Sequence, residues 1–274
     1  MSEYWLNAAI KGIIEGVTEF LPVSSTGHLV LVRDLFPLTA DPARAAQLDN
    51  LFDIVIQLPA ILAIVLLYWK RLYGSAMGVL DRAEARNFWI SVLAAFLPAA
   101  AIGFALKDYL DFLMRTDVVA LALIIGGVIL LVIERGTGLN RTSRAEEVTP
   151  FQAVKIGFFQ CLAMIPGTSR SGATIIGGRL TGLSRTAAAE FSFFLALPTM
   201  AGAFTLKMAK ELPHLNWAAD GVILAIGSVS AFLSAWAVVG LFIRFLQRYS
   251  LSVFGWYRIV LGVLVLWFGT HAPW

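Results

Sequence analysis

The sequence predicts an all-α protein that crosses a membrane several times. Hydrophobic residues make up 58% of the chain and charged residues only 14%, whereas water-soluble domains average about 25% charged residues. The charges also cluster between long apolar runs, as they do in multi-spanning membrane proteins. The small net charge of +3 reports topology in such a chain and gives no reason to expect a nucleic-acid partner.

The apolar runs indicate two kinds of membrane element. Residues 9–36 and 151–183 each read as two short helices around a polar tip. A helix of about 13 residues reaches roughly 20 Å, short of the ~30 Å hydrocarbon core. We therefore expect two re-entrant helical hairpins, whose irregular tips protein or a water-filled cavity must surround. Six full spans are expected at residues 52–69, 88–106, 118–133, 190–206, 221–243 and 252–269.

The two halves of the chain resemble each other. The segment Pro22-Val23-Ser24-Ser25 aligns with Pro166-Gly167-Thr168-Ser169 at an offset of 144, and both 52–59 and 191–198 start with Phe and end with Leu-Pro. We predict a first repeat at 1–137, a cytoplasmic linker at 138–150 and a second repeat at 151–274. Because each half has three full spans, the second repeat must be inverted relative to the first.

The distribution of basic residues predicts the orientation. If the loop around residues 70–87 is cytoplasmic, eleven basic residues lie inside and five outside. The inner ones are Lys70, Arg71, Arg82, Arg86, Arg135, Arg141, Arg144, Arg179, Arg185, Arg244 and Arg248, and the outer ones are Arg44, Lys107, Arg115, Lys207 and Lys210. Both termini are then outside, and a broken-helix site is expected near the midplane.

The first tip carries two carboxylates on one helix face. Glu15 and Glu19 are four residues apart, with Lys11 one turn earlier. Carboxylates at membrane depth are costly and usually functional. The pair suits a divalent cation that bridges to phosphates, or a general base beside a metal ligand. The alternative is a structural charge ladder in which Lys11 pairs with Glu15.

Hydroxyl groups and a histidine follow these carboxylates. Ser24, Ser25 and Thr26 precede an apolar helix, so they suit helix capping, but the same geometry exposes backbone N–H groups to phosphate. Ser25 could also be a nucleophile if a base is near. His28 stands beside these groups, which favours a functional role over a structural one.

The second tip carries a buried arginine. Arg170 lies between Ser169 and Ser171, and its planar fork suits phosphate, with a structural pair to Glu15 or Glu19 as the alternative. Thr174 adds a hydroxyl one turn on. In the last span, a second arginine is either another anion contact or an interfacial anchor; this residue is Arg258.

These motifs resemble those of the undecaprenyl-pyrophosphate phosphatase family, also called the BacA family of bacitracin-resistance proteins. The resemblance rests on the run from Glu15 to His28, EGVTEFLPVSSTGH, and on Pro166 to Gly172, PGTSRSG. It covers essentially the whole chain. It implies hydrolysis of undecaprenyl pyrophosphate to the monophosphate and phosphate, which recycles the lipid carrier for cell-wall synthesis.

The resemblance also implies a divalent cation, Mg²⁺ or Ca²⁺, and an active site that opens to the outer face of the bacterial plasma membrane. It implicates Glu15, Glu19, Ser25, His28 and Arg170 in catalysis. The expected partners are the polyprenyl pyrophosphate and membrane lipids. A homodimer is compatible with the sequence, although no segment specifies it.

A mechanism follows as a hypothesis. The pyrophosphate is bound by Arg170, by the hydroxyls of Ser169 and Ser171 and by N–H groups of the tips, while Glu15 or Glu19 holds the cation. Either Ser25 or a water that it positions attacks the phosphorus, and either Glu19 or His28 removes the proton. The rival function is a transporter of the polyprenyl phosphate, since inverted repeats with broken helices are common in transporters.

Overall fold

The computed structural model of the chain describes residues 2–110, 113, 115–136, 141–211 and 215–268. Within these residues the protein is all-helical, with eleven α-helices and no strand. The helices are α1 (Ser2–Thr18), α2 (Ser25–Val32), α3 (Pro42–Leu67), α4 (Trp69–Met77), α5 (Ala83–Leu110), α6 (Thr116–Gly136), α7 (Pro150–Cys161), α8 (Arg170–Leu180), α9 (Arg185–Glu211), α10 (Trp217–Leu246) and α11 (Ser252–Phe268). The predicted linker at 138–150, the span at 252–269 and the predicted location of both termini fall partly on residues outside these ranges.

Five helices, α3, α5, α6, α9 and α10, are long and apolar enough to cross a bilayer. The remaining predicted span corresponds to α11, which is also apolar and has 17 residues. Large apolar side chains on these helices face outward: Leu97, Phe104, Ile125, Val132 and Trp236 each expose more than half of their surface. Such surfaces suit lipid rather than water, so the chain is a multi-pass membrane protein.

Two helices include residues outside the predicted spans. The helix α3 begins at Pro42, ten residues before the span predicted at 52–69. Asp41 caps this helix by accepting from the Ala43 N–H at 3.0 Å, and proline at the first helical position favours a start there. The polar residues of its first turns can be helical because neighbouring helices supply partners for their charges, such as Lys11 for Asp49. Similarly, α4 lies within the predicted basic loop after residue 69.

The short helices flank two irregular turns. The chain leaves α1 at Thr18 and enters α2 at Ser25, and it leaves α7 at Cys161, passes a short 3-10 turn and enters α8 at Arg170. The helix α1 starts at Ser2, earlier than the predicted residue 9. Each turn contains the predicted proline and a serine that caps the next helix, and the chain is irregular there, as the sequence suggests. The other predicted hydroxyl groups, those of Ser25, Thr26, Ser171 and Thr174, already belong to α2 and α8.

The helices of the two halves make corresponding contacts. The helix α1 packs along α10, α7 packs along α5, α6 packs along α11, and α3 contacts α9. Glycines permit the closest of these approaches. A Cβ atom at Gly12 would collide with the carbonyl of Gly227, and one at Gly16 would collide with the carbonyl of Ala231. The short helix α1 is therefore held against α10 by backbone contact, which fixes the position of the tip that follows it.

Candidate active site

The two polar tips meet in the structure. The Ser171 hydroxyl of the second tip donates to the Leu21 carbonyl of the first at 2.7 Å. Arg258, on α11, donates to the carbonyls of Pro22 and Gly167, one on each tip, at 3.2 Å in both cases. These bonds satisfy backbone carbonyls that no helix can satisfy, and they join segments about 150 residues apart in the chain.

The same local geometry starts the helix after each tip. Among the described residues, Ser24 and Ser169 are the two non-glycine residues with positive φ, 70° in each case. Each caps its helix: the Ser24 hydroxyl accepts from the Gly27 N–H at 3.4 Å, and the Ser169 hydroxyl accepts from the Gly172 N–H at 3.1 Å. A strained backbone at both caps indicates that the surrounding structure imposes this conformation.

The capping geometry corrects the alignment of the two tips by one residue. The sequence comparison pairs Ser25 with Ser169, but the structure places Ser24 and Ser169 in equivalent positions. The second tip has one more residue between its proline, Pro166, and its cap than the first has. The first helical residues are consequently Ser25 in α2 and Arg170 in α8.

Glu19 connects these two helix starts. Its Oε2 accepts a hydrogen bond from the Ser25 hydroxyl at 2.6 Å, and its Oε1 accepts one from Arg170 Nη2 at 3.2 Å. The side chains of Glu19 and Arg170 are 10% and 11% exposed. The three predicted residues thus form one continuous polar contact between a candidate nucleophile, a carboxylate and a guanidinium.

Arg170 is fixed by α9 and by the first tip. Its Nη1 donates to the Ser192 carbonyl at 3.0 Å, its Nη2 lies 3.4 Å from the Met200 sulfur, and its guanidinium carbon lies 5.7 Å from the centre of the Phe20 ring. Its Nε is buried and has no hydrogen-bond acceptor among the residues that the structure describes. A buried N–H without an acceptor is costly, so this edge of the guanidinium suits an oxyanion.

Glu15 lies one turn before Glu19 and is fully buried. Among the described residues, no side chain or backbone group donates a hydrogen bond to either of its carboxylate oxygens. Its charged neighbours are Glu19, Asp53 of α3, Lys207 of α9 and Arg170. Lys11, the intrahelical partner that the charge-ladder alternative requires, binds Asp49 instead at 2.6 Å. Glu15 is therefore a buried carboxylate that forms no ion pair within the described part of the chain.

His28 lies at the end of the first turn of α2, and its side chain contacts α11. Its Nδ1 is 2.7 Å from the Ser24 carbonyl, and its Nε2 is 2.6 Å from the hydroxyl of Tyr257. The two rings stack with centroids 5.5 Å apart. Both ring nitrogens thus contact groups other than Glu19 and Arg170. The sequence analysis did not include Tyr257, whose only signal is its position before Arg258.

The other predicted hydroxyls make structural contacts. Ser169 caps α8 and lies 3.0 Å from the Ser171 hydroxyl. Thr174 donates back to the Arg170 carbonyl at 2.9 Å and lies 2.6 Å from the Ser192 hydroxyl. Thr26 is half-buried in the first turn of α2. These contacts support the tips and leave the helix N-termini as the source of further N–H donors.

Arg258 is held by backbone carbonyls, and its predicted contact with an anion stays a prediction. It is fully buried, which rules out an anchor at the membrane surface. Besides the two tip carbonyls, it donates to the carbonyls of Leu123 at 3.3 Å and Ala122 at 3.1 Å. Because backbone carbonyls accept four hydrogen bonds from its guanidinium, Arg258 is a clamp between α6, α11 and both tips.

The carboxylates can be compared with the needs of a divalent cation. No group of three or more His, Cys, Asp or Glu side chains is arranged to hold a metal ion within the described residues. Mg²⁺, however, is commonly bound by one or two carboxylates together with water and substrate phosphates. The unpartnered oxygens of Glu15 beside Glu19 meet that requirement.

Comparison with known proteins gives consistent matches along the chain. Residues 8–264 match the family described as "Bacitracin resistance protein BacA". An "Undecaprenyl-diphosphatase 3" from Acinetobacter baylyi is 48% identical over 262 residues, which cover 94% of this chain and 96% of the relative. An "Undecaprenyl-diphosphatase" from Acidovorax ebreus is 46% identical over 263 residues, 95% and 93% of the two chains. An "Undecaprenyl-diphosphatase 1" from Oenococcus oeni is 45% identical over 273 residues, 96% of each.

Proposed function

Since the chain belongs to the BacA family of bacitracin resistance proteins, we propose that it is a membrane phosphatase that hydrolyses undecaprenyl pyrophosphate to undecaprenyl phosphate and phosphate. The observation that carries the proposal is the double contact of Glu19 with Ser25 and Arg170. A carboxylate, a hydroxyl and a guanidinium within hydrogen-bond reach are the groups that phosphoryl transfer needs. The reaction makes the lipid carrier available again for cell-wall synthesis and gives resistance to bacitracin.

Ser25 and Glu19 carry the chemical step in this proposal. The Ser25 hydroxyl already donates to Glu19 Oε2 at 2.6 Å, so the proton has an acceptor when the oxygen attacks the terminal phosphorus. The P–O bond to the bridging oxygen breaks, and undecaprenyl phosphate leaves. Water then releases the phosphate from the serine. In the alternative that the sequence leaves open, Ser25 orients a water that attacks directly.

Arg170 binds the pyrophosphate. Its Nε has no protein partner, and its Nη2 already contacts Glu19, so a phosphate at the free edge would lie next to the base. The first N–H groups of α2 and α8 add donors for the remaining oxygens. His28, held by Tyr257, forms the side of the site towards α11.

Glu15 or Glu19 is the proposed ligand of Mg²⁺ or Ca²⁺, and Glu15 is favoured because both oxygens of Glu19 already accept hydrogen bonds from Ser25 and Arg170. A bound divalent cation would offset negative charge on the pyrophosphate oxygens. The fit rests on Glu15, which is fully buried and whose two oxygens lack partners. Asp53 and Glu19 increase the negative charge around it.

The membrane arrangement that we propose is an inverted repeat with two re-entrant hairpins. Three similarities support it: the two strained serine caps, the prolines inside α3 and α9 at Pro59 and Pro198, and the matching packing of α1 on α10 and of α7 on α5. Basic residues are concentrated in the loop around 70–87 and in the other loops that the orientation places in the cytoplasm. This orientation supports an active site that opens to the outer face.

The test is phosphate release by the purified protein in detergent. Undecaprenyl pyrophosphate, or a shorter C15 pyrophosphate, is the substrate, and Glu19→Ala and Arg170→Ala are the inactive comparisons. We expect release by the parent and a loss of at least about 100-fold in each variant. Binding of the lipid without release by the parent would indicate a carrier of polyprenyl phosphate and refute the phosphatase.

A second measurement separates the two nucleophiles. Acid quenching of the parent with ³²P-labelled substrate should trap phosphate on Ser25 if the serine attacks. The variant Ser25→Ala should then lose turnover. Full turnover by Ser25→Ala would exclude serine attack and leave the water mechanism.

A further inference from the structure

Two neighbouring helices carry charged side chains that face each other beside the site. On α1, Lys11 and Glu15 are four residues apart and therefore share one face. Glu19 follows directly after the helix, and its N–H still donates to the Glu15 carbonyl at 2.9 Å. On α3, Asp49 and Asp53 have the same spacing. The two helices are in contact, so their acidic and basic groups interact directly.

The outermost contact in this series is a buried ion pair. Lys11 Nζ lies 2.6 Å from Asp49 Oδ1, and the two side chains are 2% and 8% exposed. The second oxygen of Asp49 faces Arg33, whose Nε is 3.9 Å away, while Arg33 Nη2 lies 3.6 Å from Asp53 Oδ2. Asp49 thus stands between two cations.

The next group inward is Glu15, whose two oxygens have no hydrogen-bond partner. Lys11 is one turn away on the same helix face, which is the spacing at which lysine and glutamate side chains reach each other. The other charges near Glu15 are Asp53, the exposed Lys207 on α9, and the pair formed by Glu19 and Arg170. Lys11 would be the natural counter-ion of Glu15 if Asp49 did not bind it.

We propose that Asp49 is a positioning residue that holds the Lys11 ammonium away from Glu15 and so keeps Glu15 open to a divalent cation. The inference rests on the proposed function, because it gives Glu15 a metal ligand's role. The physical basis is competition: an ammonium and a divalent cation cannot both occupy the carboxylate. A buried ammonium that loses its partner also needs another anion, because leaving it unpaired is costly.

The competition predicts a rescue that a purely structural role does not. In Asp49→Leu, Lys11 should turn to Glu15 and block the cation. In the double variant Lys11→Met/Asp49→Leu the ammonium is gone, so Glu15 should be open again. Replacement of a buried ion pair by apolar side chains of similar volume is often tolerated, which makes the double variant a feasible protein.

The experiment measures Mn²⁺ binding to the purified full-length protein in detergent, by electron paramagnetic resonance, without substrate. Binding by the parent should disappear in Glu15→Gln, which assigns the signal. We expect Asp49→Leu to weaken Mn²⁺ binding by about tenfold or more, since an ion pair in a low-dielectric site opposes the cation. The double variant should return to within about threefold of the parent.

A matched control is available in the first turn of α10. Asp220 is also a buried carboxylate, and it is bound by Arg44 through both oxygens at 2.9 and 3.0 Å. Asp220→Leu removes a buried ion pair outside the site, so Mn²⁺ affinity should stay at the parent value. A loss there equal to that of Asp49→Leu would show a general effect of instability and overturn the inference.

Two further outcomes decide the proposal. Unchanged Mn²⁺ affinity in Asp49→Leu, or a double variant as weak as Asp49→Leu, overturns it. If Asp49→Leu does not fold, Mn²⁺ binding is compared in Lys11→Met and in the double variant. Affinity like that of the parent in both variants supports the proposal. A loss of affinity in either variant refutes it. A parent that releases phosphate but binds no Mn²⁺ refutes this inference alone, whereas the expected Mn²⁺ pattern without phosphate release refutes only the phosphatase.

Discussion

At the scale of single residues, the site depends on how each buried polar group is used. Glu19 accepts from Ser25 with one oxygen and from Arg170 with the other, so its carboxylate has a fixed orientation towards the hydroxyl. The two arginines of the site differ in how their hydrogen-bond donors are used. Arg170 keeps a buried Nε without a partner, whereas Arg258 donates four hydrogen bonds to backbone carbonyls. The first suits an incoming phosphate, and the second supports the tips.

Arg258→Met should therefore destabilise the protein. Four hydrogen bonds from a buried guanidinium would be lost and several carbonyls left unsatisfied, at a cost of about 3 kcal/mol or more. We expect the thermal midpoint in detergent to fall by about 6 °C or more. Arg248→Met, on an exposed residue, is the control and should leave the midpoint unchanged; an unchanged midpoint for Arg258→Met would contradict the clamp.

The sequence predicts the chemically active residue types well, but not how each is used. Glu15, Glu19, Ser25 and Arg170 can be selected because carboxylates, hydroxyls and guanidinium groups are rare in apolar segments. Ser171 and Arg258 carry the same signal, yet they bind backbone carbonyls of the tips. Those acceptors belong to every residue and leave no trace in the sequence. The roles of the selected residues in catalysis remain predictions.

At the scale of elements, the position of the site depends on short helices held by close contacts. Gly12 and Gly16 place α1 directly against the backbone of α10, and the strained caps Ser24 and Ser169 start α2 and α8. The apolar composition predicts the spans. It does not predict the start of α3, because the first turns of this helix are polar and find partners on other helices, such as Lys11.

Gly16→Ala should show how tightly α1 is held. Its new methyl group would meet the Ala231 carbonyl and the Ser234 hydroxyl, so we expect a loss of about 1–3 kcal/mol from overpacking. Gly74→Ala in α4 is the matched control, because nothing lies within 4 Å of the added atom. There, alanine should be neutral or slightly stabilising. Equal thermal midpoints for the two variants would contradict the close packing of α1.

At the scale of the whole molecule, two related halves are proposed to contribute different groups to one site. The first tip brings the carboxylates and Ser25, and the second brings Arg170 to the same Glu19. The sequence predicts the repeat, and the capping serines shift the proposed alignment of the two tips by one residue. The extra residue between Pro166 and its cap is evident only from the backbone geometry.

The proposed orientation predicts which loops are accessible from outside. In a Cys161→Ser background, which removes the single cysteine, Ala40→Cys should react with a membrane-impermeant maleimide in intact cells. Leu80→Cys, at a position that is 88% exposed, should react only after the membrane is permeabilised. The reverse pattern would contradict the orientation derived from the basic residues.

The central claim is that groups from both tips act on the same pyrophosphate, and a double-mutant cycle tests it most directly. Single-turnover phosphate release would be measured for the parent, Glu19→Gln, Arg170→Lys and the double variant. Because the two side chains act as one unit, the account predicts that the double variant is within about threefold of the slower single variant. Losses that multiply, as for two independent sites, would contradict it.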